Sequence, residues 1–161
     1  CVQTCPTGAL ADKKAIRFQD DPQPVKKTRS ICTYCGVGCS VDILTKKGVK
    51  GDKIVGVQPA MDGPANEGAL CVKGQFAFDF VQHGDRLKQP LVRKDNELVP
   101  TTWEHALDVA AEGFKKALDE KGKQALYAIA SGRAPSESAY LTQKFIRAQT
   151  GTHQVDNCSR G

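Results

Sequence analysis

The chain has 161 residues, 40% of them hydrophobic and 25% charged, which is room for one ordinary domain or pieces of two. Its 23 Lys and Arg exceed its 18 Asp and Glu, giving a net charge of +5, but the basic pairs at 13–14, 26–27, 46–47 and 115–116 are spread out and aromatics are only 6%, so a nucleic-acid surface is disfavoured against solvated lysines or charges facing an anionic group. No apolar run is long enough to span a membrane and no secretory leader precedes Cys1, so the expected compartment is the cytoplasm.

Seven cysteines are an odd number, which rules out complete internal disulfide pairing and points to metal ligation. Along the chain, "CVQTCPTGAL" opens a cysteine-rich end piece assigned to 1–18, and 19–28, containing "DDPQP", reads as a linker. A second cysteine block, "ICTYCGVGCS", begins the segment 29–85. "SVDILTK" and "KIVGVQP" alternate and are joined by "KGVKGD", predicting a small antiparallel pair. "MDGPANEGALCVKG" is irregular, and "QFAFDFVQH" predicts a short helix.

The texture changes in 86–161. "TTWEHALDVAAEGFKKALDEKG" predicts a helix with Thr101 as N-cap and Glu104 completing a capping box. Trp103, Ala106, Leu107, Ala110, Phe114, Ala117 and Leu118 share one face. "ALYAIA" reads as a buried strand, "SGRAPSE" as a turn and "SAYLTQKFIRAQ" as a second helix ending at Gly151. Helix, strand, turn and helix make the start of an α/β domain, whose ligands gather where strands end, here Ser131–Arg133. The expected fold is therefore mixed: a small domain with short antiparallel strands, then the start of an α/β domain.

Cys32, Cys35 and Cys39 follow C-x2-C-x3-C, and Cys71 comes after a gap of 31 residues. Four convergent thiolates suit a [4Fe–4S] cluster or a zinc ion. Three close ligands and a remote fourth favour the cluster, because one tight loop reaches three corners of a cube. Structural zinc more often takes two distant C-x2-C pairs. Gly36 and Gly38 let the backbone wrap closely and leave amides for cluster sulfurs. Cys1 and Cys5, followed by Pro6, match the second half of the bacterial ferredoxin run, in which they would serve different clusters. Lys73 sits two residues past Cys71, close enough for a bridging or electrostatic role. His83, His105 and His153 lack companions at metal spacing, with His105 expected at the helix surface, and the chain shows no G-x-S-x-G, P-loop or paired carboxylates.

"CTYCGVGC", "GALCVKGQFAFDFVQHGDRLKQPLVRK", "WEHAL" and "SGRAPSESAYLTQKFIRAQTGTHQVDNCSR" together resemble the molybdopterin oxidoreductase family, nearest to the catalytic subunits of formate dehydrogenases. The resemblance covers about residues 28–161, with 1–10 similar to a ferredoxin-like segment of longer members. It implies a [4Fe–4S] cluster on Cys32, Cys35, Cys39 and Cys71, and Lys73 between it and a bis-molybdopterin guanine dinucleotide carrying molybdenum or tungsten. It implies formate as substrate and an electron-acceptor subunit or ferredoxin as partner. Arg133 and Glu137 match the family pattern, and Arg133 is a candidate for the cofactor. Pro135, Ser136, Ser138, His153 and Gln154 depart from that pattern. Cys158 is expected to be a small buried residue near the cofactor. No residue of the chain is expected to be catalytic, because the family's metal ligand and its formate-flanking His and Arg would follow Gly161. A selenocysteine at the next position is one expectation for why "VDNCSRG" closes the chain. A nitrate-reducing relative, a respiratory complex I subunit and a small non-catalytic electron-transfer module are the rival readings.

Overall fold

The computed structural model describes residues 2–16, 23–49 and 51–159, so Cys1 and the terminal Arg160 and Gly161 lie outside it. The contacts divide it into two units, residues 1–84 with 133–136, and 85–132 with 137–161.

The first unit is built on a three-stranded antiparallel sheet of β1 (Lys26–Ile31), β2 (Ser40–Gly48) and β3 (Gly51–Pro59), in that order. The β2–β3 hairpin is the pair expected from the alternation. β1 was not anticipated: "KKTRSI" is almost wholly exposed and shows no apolar alternation, and it begins inside the stretch read as a linker. Its register is held by charge. Arg29 lies directly opposite buried Asp42, with Nε 2.7 Å from Oδ1, and also reaches Asp62 at 2.8 Å. Lys27 adds a looser pairing to Asp42 at 3.7 Å. The Leu44–Gly56 and Thr45–Ile54 pairs leave Val55 as the extra residue of a bulge. Val41, Val55, Val57 and Ala60 form the buried apolar centre of the unit.

Before the sheet, Asp12 starts the short helix α1 (Lys13–Ile16), accepting from Lys14 N at 2.8 Å through Oδ1 and from Ile16 N at 3.1 Å through its carbonyl. After the sheet, the loop from Ala60 to Leu70 is organised by Asn66. Its Oδ1 accepts from Ser40 N at 2.8 Å, and its amide donates to the carbonyls of Ser40 at 3.2 Å and Ala69 at 2.9 Å. The chain then enters α2 (Val72–Phe76), followed by a 3₁₀ turn at Asp79–Gln82. The single short helix expected from Gln75 to His83 is thus two pieces, displaced towards Cys71.

In the second unit a hairpin of β4 (Leu91–Lys94) and β5 (Glu97–Pro100) precedes α3 (Trp103–Lys121). The hairpin was not anticipated, although Asp95 and Asn96, with φ of 47° and 66°, are turn residues that tolerate the left-handed region. α3 is capped by Thr102, whose hydroxyl accepts from His105 N at 3.3 Å. The cap is therefore one residue later than Thr101, and Glu104 falls on the second helical position, so the capping box is not made. β6 (Ala128–Ala130) pairs in parallel with β7 (Val155–Asn157). Between them α4 (Ser136–Phe145) runs into a π turn, Ile146–Thr150, that ends at Gly151. The strand expected to be buried is not: Ile129 is 68% exposed.

Candidate metal centre

Two loops of the first unit deliver the four clustered thiols. The loop 32–39 is closed at its base by Cys32 N donating to Cys39 O at 2.8 Å, which continues the β1–β2 pairing outward. Cys32, Cys35 and Cys39 are half-buried along it. The Asn66-braced loop ends at Cys71, which is exposed and stands at the N-cap position of α2.

The loops are fastened to one another. Tyr34, between the first two cysteines, donates its hydroxyl to Ala77 O and packs edge-on to Phe80 at 5.9 Å. Gly74 brings α2 so close that a Cβ there would stand 3.5 Å from Cys32 Sγ and 3.3 Å from Leu70 Cδ2. Lys73 Nζ lies 5.8 Å from the centre of the Tyr34 ring, so this exposed cation is held above the cysteine loop. Ser136, which groups with this unit, donates to Gly36 O at 3.3 Å.

Electrostatics separates the thiols. The Cys71 thiol is pulled below its ordinary value, first by the Gly74 N–H, then by the Lys73 N–H and ammonium. Cys39 is pushed up, first by burial and then by the charges of Cys32, Cys35 and Cys71. All three others are therefore within electrostatic reach of Cys39. Yet among the described residues no three His, Cys, Asp or Glu side chains make a group able to hold one metal ion. The chemistry of the donor set bears on the group these thiols would hold. One zinc at about 2.3 Å from each sulfur would draw the sulfurs to within about 4 Å of one another. Thiolates on the corners of an iron–sulfur cube stand farther apart. The donor set, with amides aimed at one sulfur and a cation nearby, fits the larger, electron-rich group.

Cys5 stands apart on the N-terminal segment, half-buried, its thiol pulled down to about 7 chiefly by the Thr7 hydroxyl. Cys1, its partner in the spacing argument, lies outside the described residues. Arg133 is exposed. Cys158, expected to be buried, is exposed, with Ser131 Oγ 3.6 Å from its sulfur. His105 lies exposed on α3, as expected. Sequence reasoning missed Tyr34, Asn66 and Gln75 as organisers of the centre, since each acts through a hydrogen bond to distant backbone that no local pattern announces.

Residues 25–83 match the family model of the molybdopterin oxidoreductase Fe4S4 domain, and residues 86–160 match that of molybdopterin oxidoreductase. The chain belongs to the molybdopterin oxidoreductase family. Two proteins of Staphylococcus aureus, from strains MRSA252 and USA300, each named "Putative formate dehydrogenase", are 43% identical to it over 155 residues. The match takes in 96% of this chain and 15% of each relative, so the chain spans about 15% of the length of the curated relatives it matches. The chain thus carries an Fe4S4 domain followed by the start of a molybdopterin oxidoreductase domain. Among the described residues no helix is long and apolar enough to cross a membrane.

Proposed function

We propose that the chain is the iron–sulfur and leading pterin-domain portion of a formate dehydrogenase catalytic subunit. Its role is to carry electrons away from the site where formate is oxidised to CO2. The observation that carries this reading is the close approach of α2, which starts directly after Cys71, to the cysteine loop: a Cβ at Gly74 would stand 3.5 Å from Cys32 Sγ, and Lys73 Nζ lies 5.8 Å from the centre of the Tyr34 ring. In this reading those four cysteines ligate a [4Fe–4S] cluster, and Cys1 and Cys5 contribute to ferredoxin-like clusters. The molybdopterin group, with molybdenum or tungsten, supplies the two-electron chemistry when bound.

The chain's own residues do the rest. Gly74 and Lys73 amides donate towards Cys71, which stabilises electron-rich sulfur and lets the site accept an electron without a large charge penalty. Lys73 places a positive charge beside the cysteine loop, where it would favour electron density on a cluster held there. Arg133 offers a planar fork for an anionic pyrophosphate. The division into 1–18, 19–28, 29–85 and 86–161 is kept as the proposed organisation, except that residues 26–28 belong to β1 and so to the sheet of the third segment. The cytoplasm is its proposed compartment, where cysteine thiols are kept reduced and available as ligands. The formate reading is preferred over nitrate because the relatives carry the formate dehydrogenase name.

The test is anaerobic reconstitution and iron analysis of the parent protein. Cys39→Ser and Cys71→Ser should each remove about one cluster's iron, and formate should bleach the visible absorbance of the unaltered protein. Stoichiometric zinc in colourless protein would sink the cluster assignment. Bleaching that nitrate reverses, but formate never produces, would sink the substrate.

A further inference from the structure

The N-terminal segment grips α2 at both ends. At the near end Gln3, which lies between Cys1 and Cys5, accepts from Leu70 N at 3.2 Å; Leu70 directly precedes Cys71. The amide of Gln3 donates to Gln75 Oε1, and Gln75 Nε2 donates to Val57 O at 2.9 Å. Gln75 is 8% exposed, whereas Gln3 is exposed. At the far end Lys14 of α1 donates to Phe76 O at 2.5 Å, pairs with Asp79 at 2.6 Å and lies 4.4 Å over the Phe78 ring.

This is more than packing of a terminal segment. A buried amide is costly unless bonded, and Gln75 spends its oxygen on Gln3 and its nitrogen on β3. One unbroken chain of hydrogen bonds therefore runs from Gln3, two residues before Cys5, through Gln75 to the sheet that carries the other cysteine loop. A second branch runs from Gln3 to the backbone beside Cys71. Gln3 reads both the position of α2 and the position of the ligand loop at once.

We propose that Gln3 and Gln75 are positioning residues for electron transfer: they hold the segment that carries Cys5 in register with Cys71, fixing the separation between the cluster sites that these two cysteines serve. This rests on the reading that Cys5 and Cys71 serve different clusters. The pair exchanges no electron and no proton. It would hold the two ligand loops while one electron passes from a cluster on Cys71, which is oxidised, to one on Cys5, which is reduced. Because tunnelling falls steeply with distance, a looser register slows that step.

The test uses the full-length parent protein with its clusters assembled, in the forms Gln3→Ala, Gln75→Ala and the double variant. The readouts are iron content, the spin–spin interaction between the reduced clusters in electron paramagnetic resonance, and the rate at which reduction reaches the N-terminal cluster. Gln3→Ala should keep its iron, weaken the interaction and slow the transfer by about tenfold or more. The double variant should fall short of the sum of the two singles, because the Gln3–Gln75 link is lost in both. Gln3→Ala, at an exposed position, keeps the test alive if Gln75→Ala loses its fold. Full iron with unchanged interaction and rate in Gln3→Ala overturns the proposal, as does a lowered unfolding midpoint as its only effect. Failure of the underlying reading looks different: Cys5→Ser would leave the iron content unchanged, and the unaltered protein would show no spin–spin interaction.

Discussion

Gly74 is where backbone, helix and thiol meet. A methyl there would press on Leu70 Cδ2 at 3.3 Å and touch Cys32 Sγ at 3.5 Å, which the flexible leucine can absorb; a branched side chain has no such room. Gly74→Val should keep its secondary structure by circular dichroism yet retain less than about half its iron after desalting, because the added bulk lies on the ligand side of α2. Unchanged iron would mean that α2 can retreat. The thiols also differ in acidity, which sets an order of reaction in cluster-free protein. Thiolate is the reactive form, so lowering a pKa moves reactivity to lower pH. Cys5, half-ionised near 7, should be alkylated increasingly from about pH 6 to about pH 8 and then level off. Cys71 should follow, and Cys39, pushed up by burial and its neighbours, should come last. Peptide mapping by mass spectrometry across that range checks the order, and Thr7→Ala should shift the Cys5 curve to higher pH. At this scale the cysteine ligands were legible, because chemistry fixes their spacing. Tyr34, Asn66 and Gln75 were not, because each works on backbone 18 to 43 residues away.

Elements were legible where periodicity was strong and missed where charge or turn chemistry replaced it. The β2–β3 hairpin followed from alternation. β1 did not, since Lys26 to Ser30 carry no apolar face and the strand exists because Asp42 gives Arg29 and Lys27 an opposite charge to pair with. The β4–β5 hairpin carried a readable signal in Asp95–Asn96 that went unused. The loop that delivers Cys71 has no regular structure and depends on one side chain. Asn66 makes three hydrogen bonds across it, one of them from the backbone of buried Ser40. Asn66→Ala leaves that N–H without its acceptor, so it should cost about 1–3 kcal/mol in chemical denaturation of the first unit. It should also lower the yield of cluster on reconstitution, because Cys71 would no longer arrive in a fixed place. A denaturation midpoint equal to that of the unaltered protein would show that solvent replaces the amide without penalty.

Across the whole molecule the two units differ in how much apolar surface they hide. The first has its buried valines and Ala60 under the sheet. In the second, Ile146 is the only buried hydrophobic residue among those described, while Trp103 is 69% exposed and Tyr140, Leu141, Leu107 and Phe145 are also open. A parallel sheet is normally covered on both faces by helices, but here β6 and β7 form just two strands, with Ile129 open. The apolar face read from α3 lies on an observed helix, but among the described residues none buries most of it. The relatives, of which the chain covers 15%, have ample length to cover it. We expect the isolated chain to bind an apolar dye, and limited proteolysis to cut within 101–159 well before the sheet of 26–59. The full-length parent protein should show neither behaviour. Equal protease resistance of the two units in the isolated chain, with no dye bound, would mean that the second unit closes its own core and needs no further sequence to do so.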